Sequence, residues 1–281
     1  MKYPLYIRLR TIFTADKKKR EELRLQLWQE RQQRLRAKAR FGVSYSVFDG
    51  EYLLEPNIRA IRSVVDYVNV VYQRHSWYGN PAAENLLSYL QTLKNKGLID
   101  ELIEYVPNLR KSAGWQELYK RNLGLKAAIK SGVTHFMTMD VDEFYHAAEM
   151  KLAQDFILEH DIDCSFVNFY NYGPQPTDFT SGTTSCLMPF FARVNAYSKL
   201  GKNSHLPCVI DKTRRMKHRL GNKYYVLSNI LAHHMTTVRK DIRLKYANSS
   251  TQTTKNKLQS SDIPPVKVKV ADVFGIEPYL L

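Results

Sequence analysis

Three cysteines in 281 residues, none in a C-x-x-C pair, supply neither a disulfide framework nor a zinc site. Cys164, Cys186 and Cys208 are evenly spaced, but their flanking residues do not match, and no repeat emerges at any other period. No run of about 18 apolar residues exists to span a bilayer. The charged N-terminus lacks the apolar stretch of a signal peptide. A phosphate-cradling G-x-x-x-x-G-K-[ST] loop is also missing. The nearest text, Ala196 to Asn203, ends in Asn where a hydroxyl is required, which excludes a P-loop ATPase. These absences lead us to expect a soluble, intracellular chain in a reducing compartment.

Apolar residues are not in short supply. At 44% hydrophobic and 25% charged, the chain is neither disordered nor fibrous, and its length suits one large α/β domain with appendages. Of the net charge of +15, most lies at the start: residues 1–40 hold 13 Lys/Arg against 4 Asp/Glu, and the remaining 241 hold 29 against 23. A basic extension of this kind favours an anionic partner, or else forms a solvated helix. We divide the chain into a basic helical extension (1–40), an α/β domain (41–247), and a linker with a C-terminal tail (248–281).

Within 16–40, Leu23, Leu27 and Trp28 mark a narrow apolar stripe without Gly or Pro, which predicts a helix. Phe41 to Phe48 alternates and reads as a strand ended by Asp49-Gly50. Pro56 sits in the first turn of a helix that buries Ile58, Ile61 and Val65, and Val68 to Tyr72 is a second strand. Asn80 as N-cap and Pro81 at N1 predict a helix through Leu86, Leu90 and Leu93, closed by Gly97. Leu102 to Val106 is a third strand, and Trp115, Leu118, Asn122, Leu125 and Ile129 fall at helical spacing. The fourth strand, Phe136 to Met139, runs into Asp140-Val141-Asp142-Glu143. This β-α-β-α-β-α-β order predicts parallel strands with helices on both faces. Later strands are expected at Cys164–Tyr170, Phe190–Val194, Cys208–Ile210 and Tyr224–Leu231, with Val266 to Val270 as a terminal edge strand.

The acidic cluster carries the chemistry. Asp140 and Asp142, leaving the carboxyl end of a buried strand, can converge on one divalent cation, where open α/β sheets bind ligands. Oxygen ligands with open positions suit Mg²⁺ or Mn²⁺ bridging a substrate's phosphates. Read blandly, the acids cap the next turn.

The run from Val43 to Tyr72, the helix carrying Arg121-Asn122 and the segment HFMTMDVDEF together resemble bacterial glycosyltransferases of the GT-A fold, in the broad family-two and family-92-like group, over roughly residues 41–247. The resemblance implies a Rossmann-type central mixed sheet with flanking helices. It also implies a D-x-D motif that holds Mn²⁺ or Mg²⁺ against a nucleotide sugar, most readily a UDP-sugar. By likeness, Asp140 approaches the ribose or the metal and Asp142 binds the metal. Arg121 and Asn122 lie near the donor, and Phe48, Asp49 and Gly50 contact the nucleobase. Ala232-His233-His234-Met235, with Arg239 and Lys245 beyond, resembles the strand-end His that completes the metal's coordination. The spacing to Lys245 favours His233 and leaves His234 open. The family's Asp near the end of the second strand is replaced by Tyr72-Gln73-Arg74, and its Glu-Asp base pair is absent.

An inverting transfer needs a carboxylate to deprotonate the acceptor. Asp178, in the loop at residues 173–184, is the first choice and Asp211 the second. Arg214, Arg215, Lys217 and Arg219 would neutralise the leaving diphosphate, or form a solvated turn.

The expected activity is therefore a metal-dependent, hexosyltransferase-like transfer to a surface glycan or glycolipid, such as a lipooligosaccharide core or capsule precursor in lipopolysaccharide biosynthesis. The enzyme would sit in the cytoplasm, held peripherally at the anionic inner face of the membrane by its basic arm. The competing expectation is a two-metal nuclease using Asp140 and Asp142. The weakly basic body and the lack of a nucleic-acid motif argue against a nucleic-acid partner.

Overall fold

The structure is a computed structural model that describes residues 16–173, 175–180, 186–202, 206–217, 223–240, 242–250, 266–267 and 274. The chain divides into two compact units, Met1–Ala39 and Arg40–Leu281.

The first unit contains helix α1 (Lys17–Lys38). The Asp16 carboxylate caps it by accepting the Lys18 and Lys19 amides at 2.9 and 3.4 Å. Arg36 and Lys38 in the last turn suit the negative end of the helix dipole. Leu25 and Trp28 remain exposed on it.

The second unit is built on a mixed sheet. Strands β1 (Phe41–Val47), β2 (Tyr67–Tyr72), β3 (Glu101–Glu104) and β4 (His135–Asp140) lie side by side in the order 4-1-2-3. All are parallel, as the β-α-β pattern requires. Their crossovers are α2 (Leu54–Ile61), α3 (Leu86–Asn95) and α4 (Ala113–Lys130). The sheet continues past β4 through β8 (Met188–Arg193) to β6 (Cys164–Tyr172), both antiparallel steps, so its direction reverses at β4. A two-residue strand β5 (Glu143–Phe144) and helix α5 (Ala147–Glu159) fall between β4 and β6. β7 (Asp178–Thr180) extends the edge and pairs with β12 (Val266–Lys267). β11 (Tyr224–His234) runs parallel to β6 and ends antiparallel to β5. The fold class expected from the sequence, an α/β domain with a mixed central sheet and flanking helices, is what the structure shows.

Burial follows the pattern of each strand. β2 (YVNVVY) is buried at every position, as a central parallel strand with helices on both faces must be. Helix α4 approaches β1 and β2 through Gly124. A Cβ there would lie 1.9 Å from Ser44 Oγ and 3.1 Å from Asn69 Oδ1, and Asn69 donates its side-chain amide to the Gly124 carbonyl at 2.9 Å.

Two local expectations fail. Asn80 does not cap a helix: α3 begins at Leu86 after Asn85, and residues 75–82 form a loop. Ser76 Oγ accepts the Tyr78 and Asn80 amides, and His75 bridges to Pro81, so a hydroxyl-centred turn takes the groups a helix would have used. Cys208–Ile210 is no strand beyond a single bridge from Val209 to Cys186. Instead Asp211 caps a 3₁₀ turn, Lys212–Arg214, by accepting the Thr213 amide at 2.8 Å. The two-stranded β9–β10 pair (Lys199–Leu200 and Met216–Lys217) flanks that turn.

Candidate active site

The carboxyl ends of β1 and β4 open into a cleft of about 340 Å³. It lies where the sheet's strand order doubles back, β1 going on to β2 and β4 to β8. Ser46, Phe48 and Asp49 come from the end of β1, Asp140 to Glu143 from the end of β4, and His234 from the end of β11. Glu117 and Lys120 reach it from α4, and Asp211 and Arg214 from the 3₁₀ turn. Arg239, Lys245 and Asn248 to Ser250 close another side, on the segment that follows β11 and includes α6 (Ile242–Ala247).

Each acid of the cluster meets a base. Arg121 reaches Asp140 at 3.0 Å and Glu117 at 2.8 Å, and donates to Thr138 Oγ1 at 3.1 Å. Arg214 bridges Asp140 and Glu143, contacting Glu143 Oε1 at 2.6 Å. Burial opposes ionisation of Asp140, but the guanidinium groups of Arg121 and Arg214 outweigh it and hold its carboxyl well below the usual range. Burial of Asp142 is likewise overcome by Lys245, at 3.0 Å, and Arg239, at 2.6 Å, both on Oδ2. For Glu143 burial wins, and its carboxyl is raised.

One oxygen is left over. Asp142 is 1% exposed, and its Oδ1 has no hydrogen-bond partner. An unmatched buried carboxylate oxygen is costly unless something else fills its lone pairs.

The two histidines separate, as neighbours in a strand must. His234 lines the cleft, and its Nδ1 lies 3.0 Å from Asn171 Oδ1. His233 does not line it: its Nδ1 meets the Tyr172 hydroxyl at 2.7 Å, and its ring packs against His146 and Phe274. Burial, then His146, pulls His233 down to about 4. The spacing argument for His233 therefore points to the residue beside the one at the cleft.

Phe48 and Asp49 line the cleft. Gly50 sits beneath it at φ 69°, where a side chain would collide with Arg239 Nη1 at 1.9 Å. Asp49 pairs with that arginine at 3.3 Å. Arg121 braces the cleft from behind, while Asn122 stays outside it. The Asn122 amide donates to the Leu118 and Leu200 carbonyls and accepts the Leu200 amide, joining α4 to β9. Asp211 lines the cleft with 43% of its side chain exposed, one oxygen held by Thr213 and the other 3.6 Å from Arg214 Nε. For Asp178 the described part is its backbone in β7; its side chain lies outside the described residues, as does Arg219. Arg215 and Lys217 do not line the cleft: Arg215 donates to the Lys202 carbonyl and Lys217 packs at Gly201.

The sequence reading missed Lys120, Glu117, Trp77 and Gln73. Lys120 is 2% exposed and donates to the Val47 carbonyl at 2.7 Å, and burial, then Arg121, lowers it to about 7. Its signal was available: Gln116, Lys120, Gly124 and Ala128 form one four-spaced helical row, and the small members mark the face nearest the sheet. Gln73, at the end of β2, is fully buried with neither amide atom paired.

Among the described residues, no three His, Cys, Asp or Glu side chains form a group able to hold a metal on their own, and no helix is long and apolar enough to cross a membrane. No family model and no curated protein sequence matches the chain. Solved structures do show likeness. S. aureus TarS 1–349 aligns over 80% of this chain and 66% of its own, at 13% identity and a TM-score of 0.42. The same fragment in complex with UDP aligns over 52% and 38%, at 15% identity and 0.37. Glucosyl-3-phosphoglycerate synthase from Mycobacterium tuberculosis, in complex with Mn²⁺, UDP and phosphoglyceric acid, aligns over 52% and 48%, at 14% identity and 0.32. The chain thus spans less than two thirds of each of these proteins.

Proposed function

We propose that the protein is a glycosyltransferase that moves a sugar from a nucleotide diphosphate donor, a UDP-sugar first, to a glycan or glycolipid acceptor. The observation that carries this reading is Asp142: a carboxylate at the carboxyl end of β4, in the central cleft, with one buried oxygen unmatched. That oxygen and the imidazole of His234 are the donor types that Mn²⁺ or Mg²⁺ accepts. With too few protein ligands among the described residues for a closed cage, the set fits an ion that substrate phosphates complete. Bound there by Asp142 and His234, with Asp140 beside them, such an ion would supply a Lewis acid to the departing diphosphate.

The chain's own residues do the rest. Arg214, Arg239, Lys245 and Lys120 place four basic side chains around the cleft, and the first three can pass from carboxylates to the charge that develops on the diphosphate. Phe48 and Asp49 border the end where the base would sit, with Gly50 as the turn that lets Arg239 pass. Asp211, exposed in the cleft, accepts the proton of the acceptor hydroxyl as its oxygen attacks the anomeric carbon and the bond to the diphosphate breaks, an inverting displacement. Asp178 is the alternative base.

A thermal-shift panel tests the reading: Mn²⁺ with UDP, GDP, CMP or single-stranded DNA, each against Mn²⁺ alone. A ligand at 100 times its Kd adds about 2.7 kcal/mol to the folded state. We expect a nucleoside diphosphate to raise the midpoint and slow hydrolysis of the matching nucleotide sugar to accompany it. A shift with DNA alone would transfer the site to phosphodiester chemistry and overturn the reading.

A further inference from the structure

A row of aromatic rings leads out of the cleft. Trp77 lines the cleft wall; Tyr105 lies 6.1 Å from it, Tyr119 5.9 Å further, and Trp115 stacks on Tyr119 at 5.4 Å and 14°. Tyr105 is buried at 6% exposed and the row surfaces beyond it: Tyr119 is 47% exposed and Trp115 43%. A patch of rings left in water is the kind of surface that marks a binding site.

The row is also held in place. Gln116, fully buried and one turn before Tyr119 on α4, accepts from the Tyr105 hydroxyl at 3.1 Å and the Asn108 amide at 2.7 Å, and donates to the Lys111 carbonyl at 3.0 Å. One buried side chain thus fixes residues 105–111 against the helix that carries Trp115 and Tyr119. The same helix sends Glu117 and Lys120 into the cleft.

We infer that Trp115 and Tyr119, backed by the buried Tyr105 that links them to Trp77, form a saccharide-binding ledge that seats the acceptor glycan and leads its reacting end towards the cleft. A pyranose ring has a C–H face that stacks on an aromatic face and a rim of hydroxyls that needs polar partners. The ledge offers both: the open rings of Trp115 and Tyr119, and the ammonium group of Lys111 over Trp115 at 5.7 Å. The exposed Lys111 contact is weak and yields readily to a stacking sugar. The occupant is a saccharide because the open Trp115–Tyr119 pair rides on the helix that sends Glu117 and Lys120 into the cleft where a sugar is to be transferred, and the buried Tyr105 joins the pair to Trp77 in the cleft wall; this rests on the function proposed above.

The test titrates the full chain with cellotetraose, maltotetraose and chitotetraose by isothermal calorimetry. We expect at least one to bind saturably. Trp115→Ala combined with Tyr119→Ala should weaken it about tenfold or more, and Trp115→Phe alone should retain most of the affinity. The midpoint shift with Mn²⁺ and UDP should stay the same in every variant. Failure of all three sugars to bind the unaltered protein, or a double variant that binds as well as it does, overturns the ledge. So does a concentration-dependent dimer that the double variant abolishes, which would give the patch to a second copy of the chain. If sugar binding and its loss hold but UDP gives no shift, the ledge stands and the transferase reading falls.

Discussion

Asp142 has to satisfy two buried cations and still present an oxygen to a ligand. From the sequence, Asp142→Asn changes charge and hardly changes shape, so only activity should suffer. The structure adds a second effect, because Arg239, itself buried, and the partly buried Lys245 both rest on Oδ2. Removing one partner of a buried ion pair costs about 3 kcal/mol or more. We expect Asp142→Asn to lose transfer and also to melt several degrees lower, read by calorimetry alongside UDP-sugar turnover. An unchanged midpoint would mean that the cations find other partners. The two histidines give a sharper contrast. His234→Ala should raise the Mn²⁺ concentration needed for half-maximal activity tenfold or more. His233→Ala should leave that value alone and lower the midpoint, because it removes the contacts to Tyr172 and Phe274. The reverse result would return the metal to His233.

Elements are set by where backbones approach. Helix α4 can lie on β1 and β2 because position 124 has no side chain, so Gly124→Ala should destabilise by about 1–3 kcal/mol despite alanine's better helix propensity. Urea denaturation measures this, and a neutral or stabilising result would show that Ser44 moves aside at no cost. At the start of β4, His135 stacks on Phe41 at 4.7 Å. Burial, then Arg193, lowers it from the ordinary 6.5 to about 4. Its neutral form is the folded one, so the unfolded chain binds the extra proton between those values. The stability it supports is complete above about pH 6.5 and falls as the pH drops towards 4. Between pH 7 and pH 5 the protein should lose about 2 kcal/mol more than His135→Phe does, the linkage expected for that shift. Parallel losses in the two would remove His135 from the acid sensitivity.

For the whole molecule the open matter is the basic arm. We propose that α1 docks peripherally on anionic membrane at the cytoplasmic face, where each basic residue near the surface contributes about 1 kcal/mol. Its exposed apolar residues, Leu25 and Trp28, are too few to hold a bilayer alone. Removing residues 1–39, which form their own compact unit, should leave a folded protein that no longer sediments with anionic liposomes. Binding by the full chain should weaken with salt, because screening shortens the attraction to about 8 Å at physiological ionic strength. Full-length protein that ignores such liposomes at low salt would end this proposal, and a truncated chain that fails to fold would move the boundary.

Much of this was readable in the chain itself, for a physical reason. β1, β2 and β4, α4 and the placing of Asp140 and Asp142 at a strand end depend on local periodicity, and a buried parallel strand or a two-sided helix leaves that trace in any sequence. What tertiary structure alone decided was pairing across distance. Whether His233 or His234 faces the cleft turns on the register of β11 against β5, and a one-residue slip would exchange them. Asn122 became a clip because Leu200 arrived beside it, and Asn80 lost its helix to the Ser76 hydroxyl. The charge balance was the least legible feature. Arg214, Arg239 and Lys245 stand 71 to 103 residues from the acids of the β4 cluster that they neutralise, and no local pattern records a partner brought so far by the fold.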